Sequence, residues 1–184
     1  GQAAAANPSF TWWVINRLMF LAAVGSIQSF AQYFLRDVLQ VERPASMTTL
    51  LLAAVALFLI PASIIGGYLS DRAAKTGGSP QEARKRLVRL AGLIAAAGAL
   101  LLIFSRSLPL VIVSGCIIGA GTGIFMATNW ALGTDLVPSK DAGRFLGISN
   151  LAGAGAGIVG AGIGGPMADS FNAVQPGLGY LVIF

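Results

Sequence analysis

The residues of this chain whose types and spacing could do chemistry gather at Gly67-Tyr68-Leu69-Ser70-Asp71-Arg72-Ala73-Ala74-Lys75. The pattern Gly-x-x-x-Asp-Arg-x-x-Lys closes a long apolar run and opens the most basic loop, and it reads as a hinge between two helices at a membrane surface. Asp71 would sit at a helix C-terminus, where the macrodipole disfavours an anion. Its compensation is expected from a basic neighbour or from the N-terminus of another helix. A carboxylate tied across a helix junction can act as a latch, made in one conformational state and broken in another; the alternative is a plain solvated charge. A second set lies inside apolar runs, where polar groups are costly and face a cavity or a partner helix. Gln28 and Gln32 are one turn apart and share a face, with Phe30 and Tyr33 beside them. Asn16 and Arg17 lie earlier in the same run, Thr128-Asn129-Trp130 ends another, and Asn150 begins a further one. Arg17 has two readings open to it: snorkelling to the interface, or binding an anionic group or gating.

Nothing in this inventory suits bond-making catalysis. There is no histidine, Cys116 is the one cysteine, and no pair of carboxylates lies within an apolar run. Intramembrane hydrolases and metalloenzymes need such centres, so no enzyme, no metal and no cofactor is expected. Cys116 reads as a small core residue. Gly155-Ala156-Gly157-Ile158-Val159-Gly160 matches the dinucleotide-binding pattern in letters alone. It lies inside an apolar run, and Asp169 stands only nine residues past Gly160, where that site wants a preceding strand and an acidic residue about 20 positions on.

The elements that must position these groups are membrane helices. The 184 residues are 55% hydrophobic and 10% charged, with a mean hydropathy of +0.77; soluble domains carry about 25% charged residues. A hydrocarbon core of roughly 30 Å needs about 20 helical residues. Five runs qualify: Thr11–Leu35, Met47–Leu69, Val88–Phe104, Leu108–Leu132 and Phe145–Ala168, and a sixth begins near Leu178. Alternation of period two is absent, which argues against a barrel. The expected fold is all-α, a bundle of six transmembrane helices with the sixth truncated. The start at Gly1 without methionine and the stop within Leu178–Phe184 read as the two ends of an interior fragment.

Charge orients the bundle. With the N-terminus cytoplasmic, the inside loops Ser70–Leu87 and Gly133–Arg144 carry Arg72, Lys75, Arg84, Lys85, Arg86, Lys140 and Arg144, and Arg89 follows. The outside loops carry Arg36, Arg43 and Arg106, partly balanced by Asp37 and Glu42. This is the positive-inside asymmetry; it assigns the net charge of +5 to the bilayer and not to nucleic acid. Among 24 glycines, Gly115, Gly119 and Gly123 recur every four residues, and Gly153/Gly157 and Gly160/Gly164 do the same. Small residues at that spacing let helices approach closely, which serves packing and also permits sliding or tilting. A non-catalytic membrane scaffold would need no more than these faces.

The loop at Gly67–Lys75 resembles the signature of the major facilitator superfamily, approximately Gly-x-x-x-Asp-Arg-x-Gly-Arg-Arg/Lys. Gly67, Asp71, Arg72 and Lys75 match; Ala74 replaces a glycine and the last basic residue is missing. Asp135-Leu136-Val137-Pro138, followed by Gly143-Arg144 and Gly147, is similar to that family's loop between the fourth and fifth helices of the second half. The resemblance covers nearly the whole chain and implies the C-terminal six-helix half of a twelve-helix transporter working by alternating access. Its partners would be the N-terminal half, the lipid bilayer, a small-molecule substrate and a coupling proton or cation, and its place the plasma membrane. No deep Asp or Glu is present, so a titrating carboxylate would belong to the other half. Asn129 through Asn150 is weakly similar to sugar–cation symporters. In this fold the first and fourth helices of each half line the cavity, which implies substrate contact by Gln28, Gln32 and Asn129; neutral amides and aromatics suit an uncharged, polyhydroxylated ligand. Interhelical hydrogen bonding is the other role open to them. The resemblance implies gating by Gly67, Asp71, Arg72, Lys75, Asp135 and Arg144, with Arg17 as a further gating candidate.

Overall fold

The computed structural model describes residues 8–75, 79–137 and 142–184, with side chains in the last segment at 143 and from 147 onward. Six helices follow one another: α1 (Pro8–Asp37), α2 (Pro44–Lys75), α3 (Pro80–Phe104), α4 (Leu108–Leu136), α5 (Ala142–Val174) and α6 (Leu178–Ile183). Five of them are long and apolar enough to cross a membrane, and no strand occurs among the described residues. The Gly155–Gly160 stretch is helical throughout and follows no strand, so the dinucleotide pattern has no structural context there.

The helices outrun the apolar stretches that define them. Gly67–Lys75 is not a hinge between helices but the last turns of α2, and most of the expected Ser70–Leu87 loop belongs to α2 and α3. The chemistry explains the extension. Arg72 and Lys75 occupy the last turn of α2, where cations complement the exposed carbonyls. Pro80 sits in the first turn of α3 with Glu82 close behind, a proline and an anion where a helix start favours both. The basic segment therefore begins a helix.

Packing divides the bundle. The helix α4 lies between α2 and α3 in extensive contact with both, while α1 packs against α5, which carries α6. Glycines set these approaches. Gly115, Gly119 and Gly123 all face α2: Gly115 meets Leu51 and Val55, Gly119 meets the Val55 backbone, and Gly123 meets Leu59 and Ser63. On α5 only the second glycine pair makes such an approach. A Cβ at Gly160 would stand 2.7 Å from the Ala22 carbonyl oxygen and one at Gly164 would stand 2.9 Å from the Phe30 ring, whereas Gly157 has nothing within 4 Å.

One end of the bundle carries the basic segments of α2 and α3. At the other, Gly177 takes φ +88°, a conformation favouring glycine, and Asn172 Oδ1 accepts from the backbone N–H groups of Gly177 (3.1 Å) and Gly179 (2.8 Å). The Tyr180 hydroxyl then donates to Asp37 Oδ2 at 2.5 Å, and Arg36 holds the same carboxylate. A hydrogen bond to a charged acceptor contributes about 1.5 kcal/mol or more. Tyr180→Phe is accordingly expected to lower stability by about that amount through loosening α6 from α1, read as a fall in Tm in mild detergent.

Candidate functional site

At the basic end, Arg84 joins three helices. Its side chain is 12% exposed. Nε donates to Ser70 Oγ on α2 (3.1 Å) and Nη1 donates to the Ala131 carbonyl oxygen on α4 (3.2 Å). The guanidinium pairs closely with Asp135 on α4 and, at 4.0 Å, with Asp71 on α2. Gln81 adds a bond from Nε2 to the Asp135 carbonyl oxygen (3.3 Å). A guanidinium suits this place because its five donors can be shared among several acceptors at once. Asp71 has the basic neighbour its position requires, yet it is 73% exposed, while Asp135 is 26% exposed and much closer. The stronger carboxylate of the cluster is thus Asp135.

The other gating candidates divide around this cluster. Arg72 and Lys75 are exposed on the last turns of α2. A Cβ at Gly67 would meet nothing within 4 Å, whereas one at Gly66 would come to 2.9 Å from the Ile124 Cα, so the close α2–α4 approach rests on Gly66. Pro138 and the side chain of Arg144 lie outside the described residues. Neither Arg84 nor Ser70 is distinguished by its residue type. Helical phase distinguishes both, since Arg84 shares a face with the buried Val88, Ala91 and Ala95, and Ser70 with the buried Ala62 and Gly66.

A groove of about 460 Å³ runs between α1, α2, α4 and α5, with Gln28, Ser63, Thr122 and Met126 among its walls. Gln28 also borders a narrow apolar cavity of about 40 Å³ next to it. Gln32 is exposed one turn farther from the basic end. Asn129 lies away from the surface: it is fully buried and tied to Arg17, whose Nη1 donates to Asn129 Oδ1 at 3.1 Å. Trp13 Nε1 donates to the Asn129 backbone oxygen at 2.8 Å. The guanidinium of Arg17 lies 5.9 Å from the Trp13 ring centre and 5.5 Å from that of Trp130, close enough for cation–π attraction. Arg17 is 7% exposed; it does not snorkel but bridges α1 to α4. No group of three or more metal-ligating side chains occurs among the described residues.

The sequence profile of the Major Facilitator Superfamily matches residues 2–171. No curated protein and no solved structure matches the chain.

Proposed function

Because the chain belongs to the major facilitator superfamily, whose members are membrane transporters and not enzymes, we propose that it forms the C-terminal bundle of a carrier that moves a small solute by alternating access. In that cycle two bundles rock about a site between them, and sugar–cation symport is the subtype we favour. Loop charge supports placing the basic end on the cytoplasmic side of the plasma membrane.

The observation that carries this reading is the Arg84 cluster. Its partners sit on α2 and α4, two helices whose glycine-lined contact leaves little side-chain bulk between them. A cation held by Ser70, Ala131, Asp135 and Asp71 fastens α2, α3 and α4 in one state and can release them in another. Gly67, Arg72 and Lys75 flank this latch in the last turns of α2, Arg144 is assigned to gating by the family loop pattern alone, and Arg17 fastens α1 to α4 deeper in the bundle. Solute contact falls to the groove wall, with Gln28 as its amide, and to Gln32, which is exposed one turn beyond it on the side away from the latch. Asn129 acts from beneath.

The two carboxylates of the cluster separate this reading from a bland one. In the whole transporter, Asp135→Ala is expected to reduce uptake of a panel of radiolabelled sugars about tenfold or more with unchanged membrane insertion. Asp71→Ala is expected to cost about twofold, since an exposed pair at 4.0 Å contributes at most about 1 kcal/mol. Unchanged uptake in Asp135→Ala would remove the latch.

A further inference from the structure

Three side-chain polar atoms are buried without a hydrogen-bond partner among the described residues: Arg17 Nε, Asn129 Nδ2 and Ser149 Oγ. They come from three helices, and their places are related. Along α1, Arg17 stands one turn from Leu21; along α4, Asn129 stands one turn from Met126; along α5, Ser149 stands one turn from Gly153. Leu21, Met126 and Gly153 all line the groove. Since α1 and α5 start at the basic end and α4 finishes there, the three displacements point the same way. The three residues therefore stand at a similar depth, about one turn to the basic side of the groove's lining, with Arg17 and Asn129 in direct contact.

This set has the wrong charge to be structural filling. Arg17 makes no ion pair among the described residues, and its polar partner is the neutral amide oxygen of Asn129. A charge out of water is costly unless an opposite charge meets it. Two indole rings flank the guanidinium and one of its terminal nitrogens is engaged, which leaves Nε–H as a donor. Bonding through Oδ1 leaves Asn129 presenting its NH₂ group. Two donors and a hydroxyl, one of them cationic, are the complement of a carboxylate or phosphate oxygen.

We propose that Arg17, Asn129 and Ser149 form a subsite for an anionic group of the transported solute, closed in this conformation and lying one turn below the groove's lining. The proposal rests on the transporter reading and departs from its subtype, replacing the uncharged sugar favoured there with a solute that bears a carboxylate or phosphate, such as a sugar acid or a sugar phosphate. Gln28, eleven residues along α1 and on the same face as Arg17, stands about 16 Å farther along the axis. The two positions suit opposite ends of an elongated hydroxylated anion, or successive stations of a shorter one.

The test uses the full-length transporter in mild detergent, with tryptophan fluorescence and Tm as readouts, since Trp13 and Trp130 flank the guanidinium. The probes are matched pairs: gluconate and glucose, glucose 6-phosphate and glucose, lactate and lactamide. At least one anion is expected to bind ten times more tightly than its neutral partner. Arg17→Gln is expected to erase that preference, Arg17→Lys to keep part of it, and Ser149→Ala to weaken it severalfold. Asn129→Asp supplies an internal counter-charge and should raise Tm while abolishing anion binding; it serves as the decisive variant if Arg17→Gln does not fold. A wild-type protein with no preference for any anion overturns the proposal, as does a preference that survives Arg17→Gln or Asn129→Asp. Uptake of a neutral solute without anion preference would leave the transporter reading standing alone. Anion binding without uptake of any solute would do the reverse.

Discussion

Replacing Arg84 with alanine is expected to cut solute uptake at least tenfold, with the protein still inserted in the membrane. The residue supplies the guanidinium on which Ser70, Ala131, Asp135 and Asp71 converge. Its loss strands the half-buried Asp135 carboxylate beside α3 with no cation across from it. Removing one partner of a fully buried pair costs about 3–5 kcal/mol. Asp135 is 26% exposed, so roughly half of that is reasonable, and 1.4 kcal/mol already corresponds to a factor of ten. Arg84→Lys is expected to be intermediate, because a lysine can meet Asp135 but has no planar fork to span Ser70 and Ala131 as well. Transport rate together with the accessibility of single cysteines placed at the basic end would read the result. Full uptake in Arg84→Ala would show that the three-helix cluster is a static support.

Hydropathy makes the membrane helices legible in the letters, because apolar runs long enough to cross a bilayer have few alternatives to forming one. The ends of those helices are not legible in the same way. Gly67–Lys75 and Pro80–Leu87 look like loop because they are polar, but polarity at a helix end reports the membrane boundary and not the end of hydrogen bonding. The glycines show the same limit. Spacing marks Gly153/Gly157 and Gly160/Gly164 equally, yet only the second pair meets α1 closely, since a stripe shows what a face permits and only the neighbour decides whether it is used.

The candidate site divides along the same line. Asp71 stands out in sequence because it carries the motif, but distance and exposure give Asp135 the larger role. Arg84 is hidden among Lys85, Arg86 and Arg89, and only its phase with Val88 and Ala91 sets it apart. Asn129 reads as a cavity residue by its helix, and the bond to Arg17 takes it beneath the groove. Contacts between residues 112 positions apart in sequence leave no local trace.

The largest expected effect on stability comes from Gly119 and Gly123. A Cβ at Gly119 would lie 2.5 Å from the Val55 carbonyl oxygen; at Gly123 it would run into the Leu59 carbonyl and lie 2.9 Å from the Ser63 nitrogen. These obstacles are backbone atoms of α2 and cannot rotate away. The opposite face of α4 is equally constrained, since a Cβ at Gly121 would lie 2.7 Å from the Ala95 nitrogen on α3. Held on both sides, α4 cannot shift toward one neighbour to relieve the other. Gly123→Ala is therefore expected to cost about 1–3 kcal/mol, and Gly119→Val more, seen as a fall in Tm and as aggregation on size-exclusion chromatography. Gly157→Ala is the control: nothing stands within 4 Å of its Cβ, and alanine is the better helix former by about 0.5–1 kcal/mol. It should be neutral or slightly stabilising. Equal behaviour of Gly123→Ala and Gly157→Ala would mean that α2 and α4 are free to part. In that case the Arg84 cluster would be their main tether, and uptake in Arg84→Ala should fall together with Tm.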